Sequence, residues 1–85
     1  MINDICGAII DLLEKRGPII LESGLEKKDY CYIDAGHVDS ISLIQFILEV
    51  EEIFDISFTS HDTNSVQFRN VLGLSQIVEK KVIQN

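Results

Sequence analysis

The stretch from Asp39 to Phe54 constrains the fold of this chain more than any other segment. At about 100° per residue, its apolar side chains cover roughly two-thirds of a helix circumference. These side chains are Ile41, Leu43, Ile44, Phe46, Ile47, Leu48, Val50, Ile53 and Phe54. The polar strip is narrow, and Glu51 lies on the apolar side. We therefore expect a helix capped by Asp39 or Ser40, which packs on several neighbours as the central helix or leaves apolar surface for a partner.

A second amphipathic helix is predicted at the N-terminus, where apolar residues recur at three- and four-residue spacing. These residues are Ile2, Ile5, Ile9, Leu12 and Leu13. Asn3 or Asp4 can cap its start, because either side chain can accept a bond from an unpaired backbone N–H group. Gly17 can take the left-handed conformation that ends a helix, and Pro18 prevents the helix from continuing.

The C-terminal segment predicts a third main helix, which Asn70 can cap and which tolerates Gly73 near its first turn. Its apolar residues at helical spacing are Val71, Leu74, Ile77, Val78 and Val82. Before it, residues 65–68 predict one short helix and residues 55–64 predict a polar connection. The second half of the chain is therefore expected to be helical wherever it is apolar.

Residues 18–39 show no sustained periodicity. The run Tyr30–Ile33 is apolar and could form a strand, but a lone strand has no partner for its backbone hydrogen bonds. We expect instead a long ordered loop whose aromatic side chains pack onto the helices. The chain is thus predicted to be a single all-α domain over residues 1–85, a small bundle of three main helices plus one short helix.

The chain has 85 residues and a formal net charge of −7 at pH 7. Acidity disfavours binding to nucleic acid and to anionic membranes, and favours approach to basic patches on proteins. So short a domain has little room for a water-shielded pocket, so we expect no enzymatic activity of its own. Without a transmembrane run, a secretory signal or cysteines beyond Cys6 and Cys31, we expect a cytoplasmic protein with no metal site.

The informative motif lies around the start of the apolar helix. It reads Asp34-Ala-Gly36-His-Val-Asp39-Ser40-Ile41-Ser-Leu43, and the helix closes on Glu51-Glu52-Ile53-Phe54. This pattern resembles the acyl carrier protein family, which has a Gly-containing loop, an Asp-Ser-Leu signature opening its second helix and a Glu-Glu-x-Phe stretch at that helix's end. The resemblance covers residues 33–80 and implies an acyl-carrier-like helical bundle.

The resemblance implies that Ser40 carries a covalent 4'-phosphopantetheine arm, with Asp39 and Ile41 beside the attachment point. A phosphopantetheinyl transferase would attach the arm, whose thiol would hold an acyl or aminoacyl group as a thioester. The chain would then be a discrete monomeric carrier that shuttles this group between loading and transferring enzymes. Independently of the family, the dipole at a helix N-terminus favours a phosphate group.

Partner enzymes are expected to contact a line of side chains along the same helix, which is the surface that such enzymes meet in the family. The line consists of Ile41, Gln45, Leu48 and Glu52. Nearby carboxylates can steer basic partners toward it. They belong to Glu49, Glu51, Glu52 and Asp55. The alternative is that Ile41 and Leu48 lie in the core.

Two features differ from many fatty-acid carriers. Two residues separate Gly36 from Asp39, where those carriers often have one, and Ser42 and Gln45 stand where they often have carboxylates. We therefore expect a specialised biosynthetic pathway rather than housekeeping fatty-acid synthesis. The cargo of such a pathway could be an amino acid, a hydroxy acid or a short acyl group.

The same residues fit two other kinds of site less well. Asp34, His37 and Ser40 have the residue types of a hydrolytic triad, but a triad also needs an oxyanion hole and a pocket. A calcium-binding loop fails in both possible registers, because apolar residues or glycine occupy ligand positions. The rival that stays open is an unmodified protein-interaction or regulatory module with the carrier fold, in which Ser40 is a plain N-cap.

Overall fold

The computed structural model describes residues 1–21 and 23–84, and within these ranges the chain is all-helical. The helices are α1 (Ile2–Glu14), α2 (Ser40–Phe54), α3 (Ser60–Thr63) and α4 (Val71–Gln84). Single 3-10 turns lie at Lys27–Asp29 and Val66–Arg69. The predicted all-α bundle of three main helices and one short helix is confirmed. None of the helices described is long and apolar enough to cross a membrane.

The short helix predicted at residues 65–68 is present as the 3-10 helix Val66–Arg69, whereas the short helix α3 before it was not predicted. α3 interrupts the expected polar connection, whereas residues 66–69 form the second 3-10 turn. A capping box explains α3, because Thr59 Oγ1 accepts from the Asp62 N–H at 3.2 Å and the Asp62 carboxylate accepts from the Thr59 N–H at 2.8 Å. Asp62 also pairs with Lys81 of α4 at 2.7 Å, which attaches this turn to the bundle.

α1 presents its predicted apolar stripe to the core. Its buried residues are Ile5, Cys6, Ile9, Leu12 and Leu13. The prediction of Asn3 or Asp4 as the cap is wrong, because the helix already begins at Ile2, with Met1 at the N-cap position and no side-chain hydrogen bond there. Packing of Ile2 against the core extends the helix backwards past both candidates. At the other end the C-cap residue is Lys15, in the right-handed helical region, and the chain leaves the helix at Gly17, which has a φ of 149° rather than that of a left-handed helical cap.

α4, rather than α2, forms the centre of the core. The buried residues of α4 are Val71, Gly73, Leu74, Ser75, Ile77 and Val78. α2 buries only Phe46 and Val50, although the two helices are nearly equal in length. α4 packs against α1 and both 3-10 turns. The prediction of α2 as the central helix is therefore wrong, and much of its apolar arc faces solvent.

Gly73 is required at the start of α4 rather than merely tolerated. A Cβ atom there would lie 2.1 Å from the backbone carbonyl oxygen of Gln67 and 2.8 Å from two further backbone atoms of the same residue. The first turn of α4 therefore rests directly on the backbone of the second 3-10 turn. Asn70 caps α4 as predicted, since its side-chain oxygen accepts from the Gly73 N–H at 2.7 Å.

The segment before α2 is an ordered loop held by an aromatic side chain, as expected. Tyr32 is fully buried, and its ring lies edge-on to the rings of Phe46 and Phe68, with centroids 5.4 and 6.4 Å away. Its hydroxyl donates to the Phe68 carbonyl. Burial raises the pKa of Tyr32 well above its ordinary value, although Arg69 opposes the shift. This one residue thus joins the loop to α2 and to the second 3-10 turn.

Candidate functional site

The site begins where the loop enters α2, and Asp39 is the residue that caps this helix. Asp39 has extended backbone angles, and its carboxylate accepts from the Ser42 N–H at 2.8 Å. This hydrogen bond holds the pKa of Asp39 below its usual value. Of the two cap candidates in the sequence, the structure therefore assigns the role to Asp39, which leaves Ser40 as the first residue of the helix.

Ser40 has no structural task in the part of the chain that the structure describes. Its side chain is exposed, and its hydroxyl makes no hydrogen bond to any residue in 1–21 or 23–84. Burying or hydrogen-bonding the hydroxyl would oppose derivatisation, and neither occurs here. The hydroxyl is accessible for a covalent attachment that would leave the packing of the helix unchanged. A phosphate joined to it would also lie near the positive end of the α2 dipole.

The predicted partner line is exposed along its whole length. Ile41 is 72% and Leu48 is 58% exposed, and Gln45 and Glu52 are exposed as well. The alternative position of Ile41 and Leu48 in the core is therefore wrong. Ile44, which is 61% exposed, lies on the same side and was missed in the sequence, because its apolar character is equally typical of the core. We call Ile41, Ile44, Gln45, Leu48 and Glu52 the α2 strip.

The carboxylates of α2 differ in what they contact. Glu49 forms an ion pair with Arg16 at the end of α1, with 2.6 Å between the guanidinium nitrogen and the carboxylate oxygen. Glu51 accepts from the backbone N–H of Phe58 at 2.7 Å. This bond explains the acidic residue that interrupts the apolar side in the sequence, since it fastens the chain that leaves α2. Glu52 has no ion pair or hydrogen bond with the described residues.

His37, three residues before Ser40, is engaged through both ring nitrogens. Nε2 lies 2.7 Å from the Leu13 carbonyl oxygen, and Nδ1 lies 2.9 Å from the Tyr30 hydroxyl. A carbonyl oxygen can only accept, so Nε2 carries a proton, and in the neutral ring Nδ1 accepts from Tyr30. Asp34 instead pairs with Arg69. These contacts do not align Asp34, His37 and Ser40 as a hydrolytic triad.

The same contacts anchor the loop that presents Ser40. His37 fixes it to the C-terminal end of α1, and its own backbone N–H donates to the Tyr32 carbonyl at 3.0 Å. The Val71 N–H, at the start of α4, donates to the Tyr30 carbonyl at 3.1 Å. The approach to Ser40 is thus held to two of the three long helices, so the exposed hydroxyl belongs to a positioned backbone.

The described residues offer no alternative centre for chemistry of this kind. In the ranges 1–21 and 23–84, no group of three or more His, Cys, Asp or Glu side chains is placed to hold a metal ion. One concave region, with a volume of about 540 Å³, lies between α3 and α4 and is lined by residues that include Asp62, Gln76, Lys80 and Lys81. The Ser40 hydroxyl and the neighbouring α2 strip are therefore the strongest candidate site.

The chain was also compared with known proteins. No protein-family model matches it, and neither a curated protein nor a solved structure shows significant similarity to it.

Proposed function

We propose that this chain is a discrete acyl carrier protein that holds its cargo as a thioester on a 4'-phosphopantetheine arm attached to Ser40. The observation that carries the proposal is that, at the start of α2, the cap is Asp39 and not Ser40. Asp39 provides the cap, so the adjacent Ser40 hydroxyl is exposed and unbonded at a helix N-terminus. The Asp-Ser-Ile triplet, the acidity and the four-helix layout agree with the family that the sequence resembles.

The proposed modification needs an external enzyme and coenzyme A. The Ser40 oxygen attacks the phosphorus that bears the pantetheine group, a new oxygen–phosphorus bond forms, and adenosine 3',5'-bisphosphate leaves. The hydroxyl proton passes to a base of the transferase, because both nitrogens of His37 are already engaged. The chain's own contribution is to present Ser40 on a fixed helix end, where the dipole favours the bound phosphate.

Partner enzymes would bind along the α2 strip, which begins one residue after Ser40. In such a complex, the strip brings the attachment point to the partner's active site while the core of the bundle stays intact. The absence of carboxylates at Ser42 and Gln45 supports a specialised biosynthetic pathway rather than general fatty-acid synthesis. The cargo would then be an acyl or aminoacyl group chosen by the loading enzyme.

The test is to incubate the chain with coenzyme A and a broad-specificity phosphopantetheinyl transferase, and to measure the intact mass. We expect a gain of one phosphopantetheine group, absent in Ser40→Ala. Ser42→Ala is the matched control, since it removes a hydroxyl two residues further along the same helix and should be modified like the parent chain. Circular dichroism of each variant checks that the bundle is folded.

Two results would overturn the proposal. If the folded parent chain gains no mass, the unmodified interaction or regulatory module becomes the better interpretation. If Ser40→Ala still gains the same mass, the arm is attached elsewhere.

If the arm is attached to Ser40, the cargo can be identified on chain purified from its native cells. Hydroxylamine cleaves thioesters, so it would release the bound group, whose mass can then be measured.

A further inference from the structure

Resting on the proposed function, we infer that the transferase that modifies Ser40 docks on the uncharged, apolar part of the α2 strip, formed by Ile41, Ile44 and Leu48, and not on Glu52. Its binding would come from burial of Ile41, Ile44 and Leu48 rather than from attraction of the chain's negative charge to basic residues. The partner surface that matches it is an apolar groove without a cluster of lysine or arginine. On this proposal, the net negative charge of the chain does not indicate where the transferase binds.

The first support is the charge of the strip itself. Residues 40–48 contain no charged side chain, although the whole chain has a net charge of −7. Three large apolar residues of this segment are more than half exposed, namely Ile41, Ile44 and Leu48. Burial of such side chains against a partner is favourable by roughly 25 cal/mol for each Å² removed from water. An apolar partner therefore matches this surface better than a basic one.

The second support is that two of the carboxylates on α2 are committed inside the molecule. Glu49 is neutralised by Arg16, and Glu51 is held by the Phe58 N–H. Asp39 stays ionised, but its charge lies at the positive end of the helix dipole and is bound by the Ser42 N–H. Glu52 alone contributes a charge to the strip, at the end distant from Ser40.

The geometry of the proposed reaction identifies the occupant. Ser40 is the first residue of α2, so an enzyme that reaches its hydroxyl must cover the adjacent turns, where Ile41 and Ile44 lie. A second copy of the chain fits less well. Each copy has a charge of −7, and a few side chains of one helix fall short of the roughly 800 Å² per partner that stable complexes bury.

The experiment measures KM for the chain and kcat of phosphopantetheine transfer at saturating coenzyme A, at about 50 mM and about 500 mM NaCl. We expect Ile41→Ala and Leu48→Ala to raise KM roughly five- to tenfold at both salt concentrations. Glu52→Gln should leave KM within about twofold, and salt should change the KM of the parent chain by a similarly small factor.

Ile53→Ala is the matched control. Ile53 is 54% exposed on the same helix, but it lies about 120° around the axis from Ile41, so its removal should not change KM. A KM that rises steeply with salt, or that responds to Glu52→Gln more than to Ile41→Ala, would overturn the apolar surface while leaving the carrier function intact. A dimer abolished by Ile41→Ala would assign the strip to a second copy instead. Failure of the parent chain to accept the arm would overturn both proposals.

Discussion

α2 and α4 are amphipathic helices of 15 and 14 residues that the fold uses in opposite ways. α4 buries six residues and packs against α1 and both 3-10 turns. α2 buries two and leaves four large apolar side chains more than half exposed, namely Ile41, Ile44, Leu48 and Ile53. Apolar content alone does not distinguish them, since α2 is the more apolar by sequence. The difference lies in which helix has neighbours on several sides. It separates a helix that forms the core from one that keeps an apolar face in solvent.

The largest difference in stability between the two helices is expected when one leucine in each is replaced by alanine. Leu74 is fully buried in α4, so Leu74→Ala should lower the free energy of unfolding by about 2–5 kcal/mol. Leu48→Ala removes an exposed side chain and should change it by less than about 0.5 kcal/mol. Urea denaturation followed by circular dichroism measures both values. Similar losses for the two variants would show that α2 is packed as deeply as α4.

A smaller effect is expected at two glycines within helices. Gly73→Ala should destabilise the chain by about 1–3 kcal/mol, because the new Cβ meets the Gln67 backbone and this backbone cannot yield. Gly7→Ala in α1 has open space around the new atom and should stabilise the chain by about 0.5–1 kcal/mol. Thermal melts of the two variants therefore shift in opposite directions. A stabilised Gly73→Ala would contradict the close contact of α4 with the second 3-10 turn.

Two adjacent glutamates on α2 should differ in their contribution to the free energy of unfolding. Glu51→Ala removes the acceptor for the Phe58 N–H and should lower the free energy of unfolding by about 1 kcal/mol. Glu52→Ala should change it by less than about 0.5 kcal/mol, because Glu52 is exposed and has no ion pair or hydrogen bond in the described parts of the chain. Chemical denaturation measures both. Equal effects would show that the chain leaving α2 is not fastened by Glu51.

The smallest effect concerns acid sensitivity, since the two helices have different caps. The Asp39 carboxylate caps α2, and its pKa is lowered by the Ser42 N–H, whereas the neutral Asn70 amide caps α4. A lowered folded pKa means that the cap stabilises the chain above the ordinary value of 3.8, and that this contribution disappears as pH falls through the folded value. Below about pH 4, α2 should therefore fray before α4.

Exchanging the caps tests that order. Asp39→Asn should make the start of α2 less sensitive to acid, and Asn70→Asp should give α4 the sensitivity that α2 loses. Amide hydrogen exchange at low pH reports each helix separately. If α2 and α4 lose protection at the same pH in the parent chain, in Asp39→Asn and in Asn70→Asp, the caps do not decide which helix frays first.

The sequence predicted the parts of this molecule that local chemistry controls. The main helices followed from apolar periodicity. The cap at Asn70, and the choice between Asp39 and Ser40 for α2, followed from side chains that can reach their own backbone. The position of Ser40 at the start of α2 was likewise visible. The capping box of Thr59 and Asp62 was equally local, yet the polar composition of that stretch led to the wrong prediction of a connection without helix.

The side of α2 that faces solvent could not be predicted from the sequence. Its apolar arc is too wide to show which part is covered, and the answer depends on where α1 and α4 pack. The pairing of Glu49 with Arg16 spans 33 positions in the chain, and the contact of His37 with Leu13 spans 24. No periodicity within one helix contains such information.

Sequence alone therefore determined that an apolar helix begins at Asp39 or Ser40 in a small acidic bundle. Only the tertiary structure decided that Ser40 is unbonded, that Ile41, Ile44 and Leu48 remain in solvent, and that two of the three glutamates of α2 are used within the fold. The physical reason is that a helix and its cap depend on neighbours within one turn. Exposure and the pairing of charges depend on which distant segments pack beside them.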